Sequence, residues 1–334
     1  MTAFPSRVWR HCRRVGQAFL DPVWSRLLAR LGQADVSFFH QFQPPPSGGG
    51  HQFMRALKRV FEEQGLRVES NILSRATPAC LFNSFNFDFK RLRRLARPDC
   101  RLVHRVDGPI GVYRGFDDGS DRRILEVNRL LANVTIFQSR YSLDQHRQLG
   151  MEFVDPRIIP NAPDPLLFFP KGHGAFQPGR PLRVIAASWS DNPKKGAAVY
   201  QWLDKHLDHS RVTFTFVGRS RIRFDRIRML PPVPSETLAR LLREHDVYLT
   251  ASQDDPCSNA LLEALSCGLP AVYRDSGGHP ELVGEAGLGF QTPEEIPALL
   301  DRMAEEYSRF QAAIRVAGLA DIASHYHDAL FAPL

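Results

Sequence analysis

The stretch from residue 253 to 270 constrains this chain more than any other. It reads Gln-Asp-Asp-Pro-Cys-Ser-Asn-Ala-Leu-Leu-Glu-Ala-Leu-Ser-Cys-Gly-Leu-Pro and lies between two short β-type runs, 247–250 and 270–273. The order is therefore strand, polar loop, helix, strand. Ser258 and Asn259 are capping residues, and the helix formers from Ala260 to Leu265 follow them. Asp255 falls in the loop and Glu263 inside the helix. A helix N-terminus offers free N–H groups and the positive end of a dipole, which suits a phosphate. A buried carboxylate one to two turns further on suits a sugar hydroxyl. The segment is thus a candidate site for a sugar-bearing phosphate, with Asp255 as a plain helix cap the blander alternative.

The rest of the chain repeats the strand–helix alternation. Residues 35–40 form a strand candidate that runs into Pro44-Pro-Pro-Ser-Gly48-Gly49-Gly50 and then a helical pattern over 51–64. This is neither G-x-G-x-x-G nor a P-loop, so Gly49 and Gly50 are expected to let backbone approach a ligand or a facing domain. Further strands are expected at 66–70, 80–85, 100–104, 134–138, 182–188 and 212–217, with a short one near 230. Such alternation implies doubly wound α/β domains, whose ligands gather at the carboxyl ends of the strands. At 334 residues there is room for two of them.

Composition excludes several classes. No run of about 18 apolar residues is present to span a bilayer. Five scattered cysteines, odd in number and without C-x-x-C, point to a reducing, cytoplasmic setting rather than a disulfide scaffold or zinc site. The twelve histidines contain no H-E-x-x-H, and the acidic run Asp117, Asp118, Asp121 reads as a polar turn rather than a metal site. The net charge of +7 is concentrated in two places. Residues 1–30 carry six arginines against Asp21, with Val8, Cys12, Val15 and Phe19 at helical spacing. Such a basic amphipathic helix could lie on an anionic membrane face or pack on the first domain. Residues 90–105 carry seven basic side chains against Asp99. They lack the interleaved aromatics and module pattern of a nucleic-acid binder, so no nucleic-acid partner is expected.

With an acid, Asp255, separated by seven residues from Glu263, the segment "LLEALSCGLPAV" followed by "SGGHPELV" resembles the donor-site signature of family 4 retaining glycosyltransferases. Asp255 stands where the usual signature has Glu, one methylene shorter. The resemblance spans roughly residues 35–325. It implies the GT-B fold: two Rossmann-like domains facing across a cleft, with a C-terminal helix crossing back. The expected layout is the basic helix at 1–31, an acceptor-side domain at 32–165, a linker at 166–181, a nucleotide-sugar domain at 182–312 and a returning tail at 313–334.

The same resemblance assigns roles. Glu263 would hold the ribose hydroxyls and Asp255 those of the donor sugar. Lys195, followed by Gly196, would clamp the diphosphate with the N–H groups near Ser258 and Asn259. The family's arginine five residues before that lysine is Ser190 here, so Lys194 or Arg219 would have to supply the missing charge. Gly49 and Gly50 would face the diphosphate and acceptor, and Gly278 of Gly277-Gly278-His279-Pro280-Glu281 would wall the sugar. His104 would orient the acceptor, with Asp107 second and Ser139 helping; a phosphate oxygen would take the acceptor's proton. In the crossing segment Asn161-Ala162-Pro-Asp164, alanine replaces the family's glycine.

These expectations amount to a hexosyltransferase of polysaccharide biosynthesis, using a UDP- or GDP-sugar without cofactor or metal. Its acceptor would be a glycan or lipid-linked molecule. A sugar-nucleotide epimerase of the same fold and a catalytically degenerate, membrane-docking sugar-nucleotide binder are the alternatives.

Overall fold

A computed structural model describes residues 32–44, 48–84, 87–170, 172 and 176–333. The basic helix expected over 1–31 lies outside the described residues. Among the described residues twelve strands fall into two six-stranded sheets in which every pairing is parallel. The first sheet uses β1 (Val36–Phe39), β2 (Val68–Ser70), β3 (Ala79–Asn83), β4 (Arg101–Val106), β5 (Val134–Phe137) and β6 (Pro156–Ile158), in the order β2-β1-β3-β4-β5-β6. The second uses β7 (Leu182–Ser188), β8 (Val212–Gly218), β9 (Arg228–Leu230), β10 (Val247–Thr250), β11 (Ala271–Arg274) and β12 (Gly287–Phe290), in the order β12-β11-β10-β7-β8-β9. Winding reverses between β1 and β3 in one sheet and between β7 and β10 in the other. Those reversal points open the crevices where such sheets bind ligands.

Helices cover both faces, which is why the central strands are buried apolar runs rather than alternating ones. Helix α1 (Gly49–Glu63) presents Phe53, Met54, Leu57 and Phe61 to Val36, Phe38, Leu81 and Val103. The opposite face is closed by α2 (Phe89–Leu95) and α4 (Ser120–Leu131), with the short α3 (Ile110–Arg114) between them in sequence. Helix α5 (Arg140–Gln148) follows β5. In the second domain α6 (Ala197–His206), α7 (Ser235–Arg243), α8 (Asn259–Ser266), α9 (His279–Val283), α10 (Ile296–Glu305) and α11 (Tyr307–Ala312) sandwich the sheet between two apolar layers.

The chain passes between domains over a few residues. Ile159 and Ala162 belong to the first core, Leu167 and Phe168 to the second. Arg59 of α1 grips this passage through a bidentate pair with Asp164, at 2.8 and 2.7 Å. The last helix, α12 (Leu319–Phe331), returns to the first domain and buries Leu319, Ile322, Tyr326 and Leu330 against α1 and its sheet. At roughly 2 kcal/mol per large apolar side chain, these four contribute on the order of 8 kcal/mol of burial, comparable to a domain's whole net stability. Arg101 fastens the end of the helix by donating to the carbonyls of Ala329 and Pro333, at 2.7 and 2.8 Å.

Candidate functional site

In the second domain the site is built on the reversal point between β7 and β10. After β7, Asn192 caps a single 3-10 turn, Pro193–Lys195, its side chain accepting from the Lys194 N–H at 2.9 Å. Gly196 ends the turn at φ 80°, and a Cβ there would sit 2.4 Å from the Ala251 carbonyl oxygen, so this tight junction needs glycine. The turn aims Lys195 at the loop after β10, where its Nζ meets Asp255 Oδ2 at 2.7 Å. Burial pushes the lysine's pKa down, but Asp255 and the ring of Tyr113 outweigh it and the net is a rise. For Asp255 burial pushes up, Lys195 pulls down, and the net is a lowered carboxyl. The pair is therefore ionised.

Helix α8 begins three residues beyond Pro256, with Ser258 as cap accepting from the Leu261 N–H. Glu263, one turn in, is 7% exposed and lines two adjoining cavities of about 280 and 80 Å³. Burial alone raises its carboxyl to about 8. The smaller cavity is walled by Val217, Gly218, Pro232 and Val233, a mostly apolar slot at the ends of β8 and β9. Ser190, Lys195 and Arg219 line a third cavity of about 220 Å³, and Arg219 lies over the Trp189 ring at 5.1 Å. The structure thus sets a guanidinium in the same cavity as the serine that replaces the expected arginine.

In the first domain the strand ends carry a buried polar network. Arg105, at the end of β4 and 1% exposed, donates to Asn83 (2.8 Å), Asp107 (3.1 Å) and Asn161 (2.9 Å). Gln138 also donates to Asp107, and Ser84 bonds its backbone and carboxylate. Asn161 Nδ2 then reaches Gln138 Oε1 and, across the cleft, Asn259 Oδ1, both at 3.1 Å.

Several other contacts close the cleft. A Cβ on Gly49 would fall 2.4 Å from the Asn259 Cβ, one on Gly108 2.9 Å from the Pro256 Cβ, and one on Gly278 3.4 Å from the Ser139 Cβ. Two helix N-termini, those of α1 and α8, therefore meet at Gly49 and Asn259. Glu281 of α9 accepts the N–H groups of Arg140 and Tyr141 at the start of α5, both at 3.0 Å. Ser235 donates to Gln52 at 2.7 Å, and Lys194 donates to both the Val112 carbonyl and Asp254.

The structure brings together Lys195, Asp255, Glu263, Gly49, Gly196, Arg219, Ser258, Asn259, Gly278 and Asp107 around the cleft. His104 is not among them. Side chains alternate along β4, so Arg105 faces α1 while His104 faces α4. There it is fully buried, stacked on Phe82 at 4.2 Å and bonded to Asn128 at 3.1 Å. Burial drops its pKa to about 3. The strand also continues to Val106, so its ligand-facing end is Asp107 rather than His104. Ser139 is buried with its hydroxyl engaged in capping α5. Gly50 faces open space, where an added Cβ would meet nothing within 4 Å. Asp121 accepts the Ile110 and Gly111 N–H groups, a cap for α3. Among the described residues no cluster of three or more His, Cys, Asp or Glu could hold a metal ion.

Sequence reasoning missed Arg105, Asn161 as a bridge, Glu281 as a clasp, and a pair of bonded imidazoles, His40 and His51. Sequence analysis places Arg105 only among the seven basic side chains of 90–105; its even spacing from Val103 along β4 marks it as inward-facing.

Comparison with known proteins follows this geometry. Residues 193–309 match the model of the family described as glycosyl transferases group 1. No curated protein matches the chain. Among solved structures, Anabaena Alr3699/HepE in complex with UDP and glucose is 16% identical over 90% of this chain and 96% of that one, with a TM-score of 0.59. AviGT4, a glycosyltransferase involved in avilamycin A biosynthesis, is 15% identical over 89% and 97%, with a TM-score of 0.60. Sucrose-phosphate synthase from Thermosynechococcus elongatus is 18% identical over 87% and 76%, with a TM-score of 0.53. At such identities the likeness is one of fold. The chain is a GT-B protein, with two facing Rossmann-like domains and a returning C-terminal helix, and its second domain matches the glycosyl transferases group 1 family.

Proposed function

We propose that this protein is a retaining glycosyltransferase that moves a sugar from a UDP-sugar, or a GDP-sugar, to a glycan or lipid-linked acceptor. The observation that carries the reading is the Lys195–Asp255 pair set at the reversal point beside the N-terminus of α8, with Glu263 on the cavity wall behind it. The base occupies the slot by Val217 and Pro232, and Glu263 holds the ribose. The diphosphate lies between Lys195, the N–H groups at Ser258 and Asn259, and Arg219. Asp255 turns from its lysine to the sugar hydroxyls as the phosphates arrive. Leaving-group charge is thereby met by fixed cations and dipoles in a closed cleft, where they need no reorganisation. This chain's own cations supply that charge without a metal.

HepE is seen with UDP and with UDP-glucose, which favours uridine over guanosine. The exposed Lys90, Arg93 and Arg94 on the acceptor-side domain favour an anionic or lipid-linked acceptor at a cytoplasmic membrane face. Ser190 favours the second reading, a degenerate sugar-nucleotide binder, and Arg219 in the same cavity weighs against it.

The test is release of nucleotide from a panel of UDP- and GDP-sugars by wild type and Glu263→Ala in parallel. Turnover of one donor, lost in the variant, is expected. Nucleotide binding without turnover of any donor would move the assignment to the degenerate binder.

A further inference from the structure

One cavity of the first domain shares no residue with the donor site. It measures about 360 Å³ and lies between the start of α2 and the first two turns of α4. Phe87, Phe89, Ile124 and Val127 form its walls, and Ser84, Ser120 and Arg123 are its polar lining among the described residues. Spacings of three and four along α4 put residues 120, 123, 124 and 127 on one side of that helix. Phe87 is buried and held edge-on against Phe82, with ring centroids 5.5 Å apart, which fixes the back wall.

The cavity adjoins the acceptor side of the cleft. Both helices start at the carboxyl ends of the strands, the edge where ligands of such sheets gather. Ser84, the first residue after β3, accepts the Asp107 N–H at 2.8 Å, and its hydroxyl donates to the Asp107 carboxylate at 3.2 Å. Asp107 in turn precedes Gly108, which touches Pro256 of the second domain. The walls select the ligand. A glycan carries a hydroxyl on most carbons, and each one buried without a partner costs affinity. Ser84 is already engaged with Asp107, and Ser120 lies 3.5 Å from Arg123, so the lining offers such hydroxyls little. Four apolar side chains suit a hydrocarbon instead. Arg123 is exposed at the mouth, and from Phe89 helix α2 continues as Lys-Arg-Leu-Arg-Arg-Leu, with four cations and no acid. An apolar cavity beside such cations is complementary to an amphiphile with an anionic head.

We propose that this cavity holds the first carbons of the hydrocarbon chain of a lipid-phosphate acceptor, with Arg123 on its phosphate. The inference rests on the sugar-transfer reading and narrows the acceptor from a free glycan to a molecule carried on a lipid phosphate. The chain enters between α2 and α4, the phosphate stays at the mouth, and the accepting end of the molecule lies toward Asp107. Arg123 is the cation left for that phosphate on α4, because its neighbour Arg122 faces Asp117 at 3.8 Å. Val127 and Ile124 set how much chain the cavity takes.

Calorimetric titration of the whole protein with octyl, nonyl and decyl phosphate, each below its micelle concentration, tests this. Affinity should rise about three- to fourfold per methylene, the worth of a buried CH₂, and inorganic phosphate should bind at least about 100-fold more weakly than decyl phosphate. Val127→Trp fills the cavity and Arg123→Glu reverses the charge at its mouth. Each should weaken decyl phosphate by at least about 10-fold. UDP affinity should stay within about twofold of wild type in both, since the donor site is remote from them. Arg123→Glu changes an exposed side chain and keeps the test decisive if the tryptophan variant does not fold. Affinity that ignores chain length, that both variants retain, or that appears only once micelles form overturns the assignment. Displacement of decyl phosphate by maltotriose also overturns it, in favour of a glycan. A wild type that binds decyl phosphate as expected but neither UDP nor GDP counts against the sugar-transfer reading and not against the ligand of the cavity.

Discussion

Gly49 and Asn259 approach so closely that a single methyl group on the glycine would overlap the Asn259 side chain, at 2.4 Å between the two Cβ atoms. The first domain therefore reaches the start of α8 only because residue 49 has no side chain. Gly49→Ala should hold the domains apart and lower turnover by roughly 10- to 100-fold, since misplacement by about 1 Å is enough for that. Gly50→Ala, where the new methyl meets nothing within 4 Å, is the control and should leave turnover unchanged. Both variants should melt near the wild-type temperature by calorimetry; a large drop for Gly49→Ala alone would mean that the contact serves stability rather than closure.

Glu263 makes both stability and nucleotide binding depend on pH. Its carboxyl titrates near 4.5 when unfolded and at about 8 in the fold. The folded state therefore keeps a proton that the unfolded chain has lost. Its contribution is complete below pH 4.5 and declines as pH rises through 8, by on the order of a few kcal/mol. Glu263→Gln should remove this decline, so that urea midpoints of the variant overtake wild type in mildly alkaline buffer. Binding of a ribose that donates two hydrogen bonds to the carboxylate should also release a proton near pH 7. Calorimetry of UDP binding in two buffers of different ionisation enthalpy would detect it, and Glu263→Gln should show none.

Lys195→Ala leaves Asp255, 8% exposed, facing an empty space with no cation at 2.7 Å. Loss of UDP affinity by about 10- to 100-fold is expected, because charge-assisted bonds to phosphate contribute about 1.5–3 kcal/mol. Removing the carboxylate as well, in Lys195→Ala with Asp255→Asn, should recover folding stability but not affinity. Urea melts and UDP titrations of the two variants separate these effects; recovered affinity would show that the lysine's work is structural.

Glu281 spans the domains by capping the first two N–H groups of α5. An exposed carboxylate at a helix N-terminus contributes about 0.3–1 kcal/mol. Glu281→Gln should shift the open–closed balance by roughly two- to fivefold toward open, visible as a larger radius of gyration in small-angle scattering. Glu281→Lys should shift it further, and an unchanged radius in both would rule the clasp out.

The doubly wound fold was legible because its central strands are buried on both faces, so 182–188 and 247–250 stand out as apolar runs. Edge strands β6 and β12 were not. One opens on Pro156 and the other on Gly287, residues that strands tolerate only where one side lacks a partner or backbones crowd. Within the candidate site, Asp255 and Glu263 were legible since one strand–loop–helix segment after β10 carries both, and Lys195 since a second such segment, after β7, carries it. The acceptor side was not, because it is assembled from the ends of different strands. Ruling out His104 takes the register of β4 and the side-chain alternation that sends residue 104 away from α1. No local pattern in sequence carries that information.

The return of α12 to the first domain sets an order of assembly during synthesis. Val36, Phe38 and Leu81 emerge from the ribosome early, yet the helix that covers them, Leu319–Phe331, comes only after the second domain. The second domain, whose core draws its last side chain from Val316, can fold while the first still exposes an unfinished apolar face. The N-terminal half thus waits on α12, and a truncation anywhere before residue 319 should damage the beginning of the protein more than the middle.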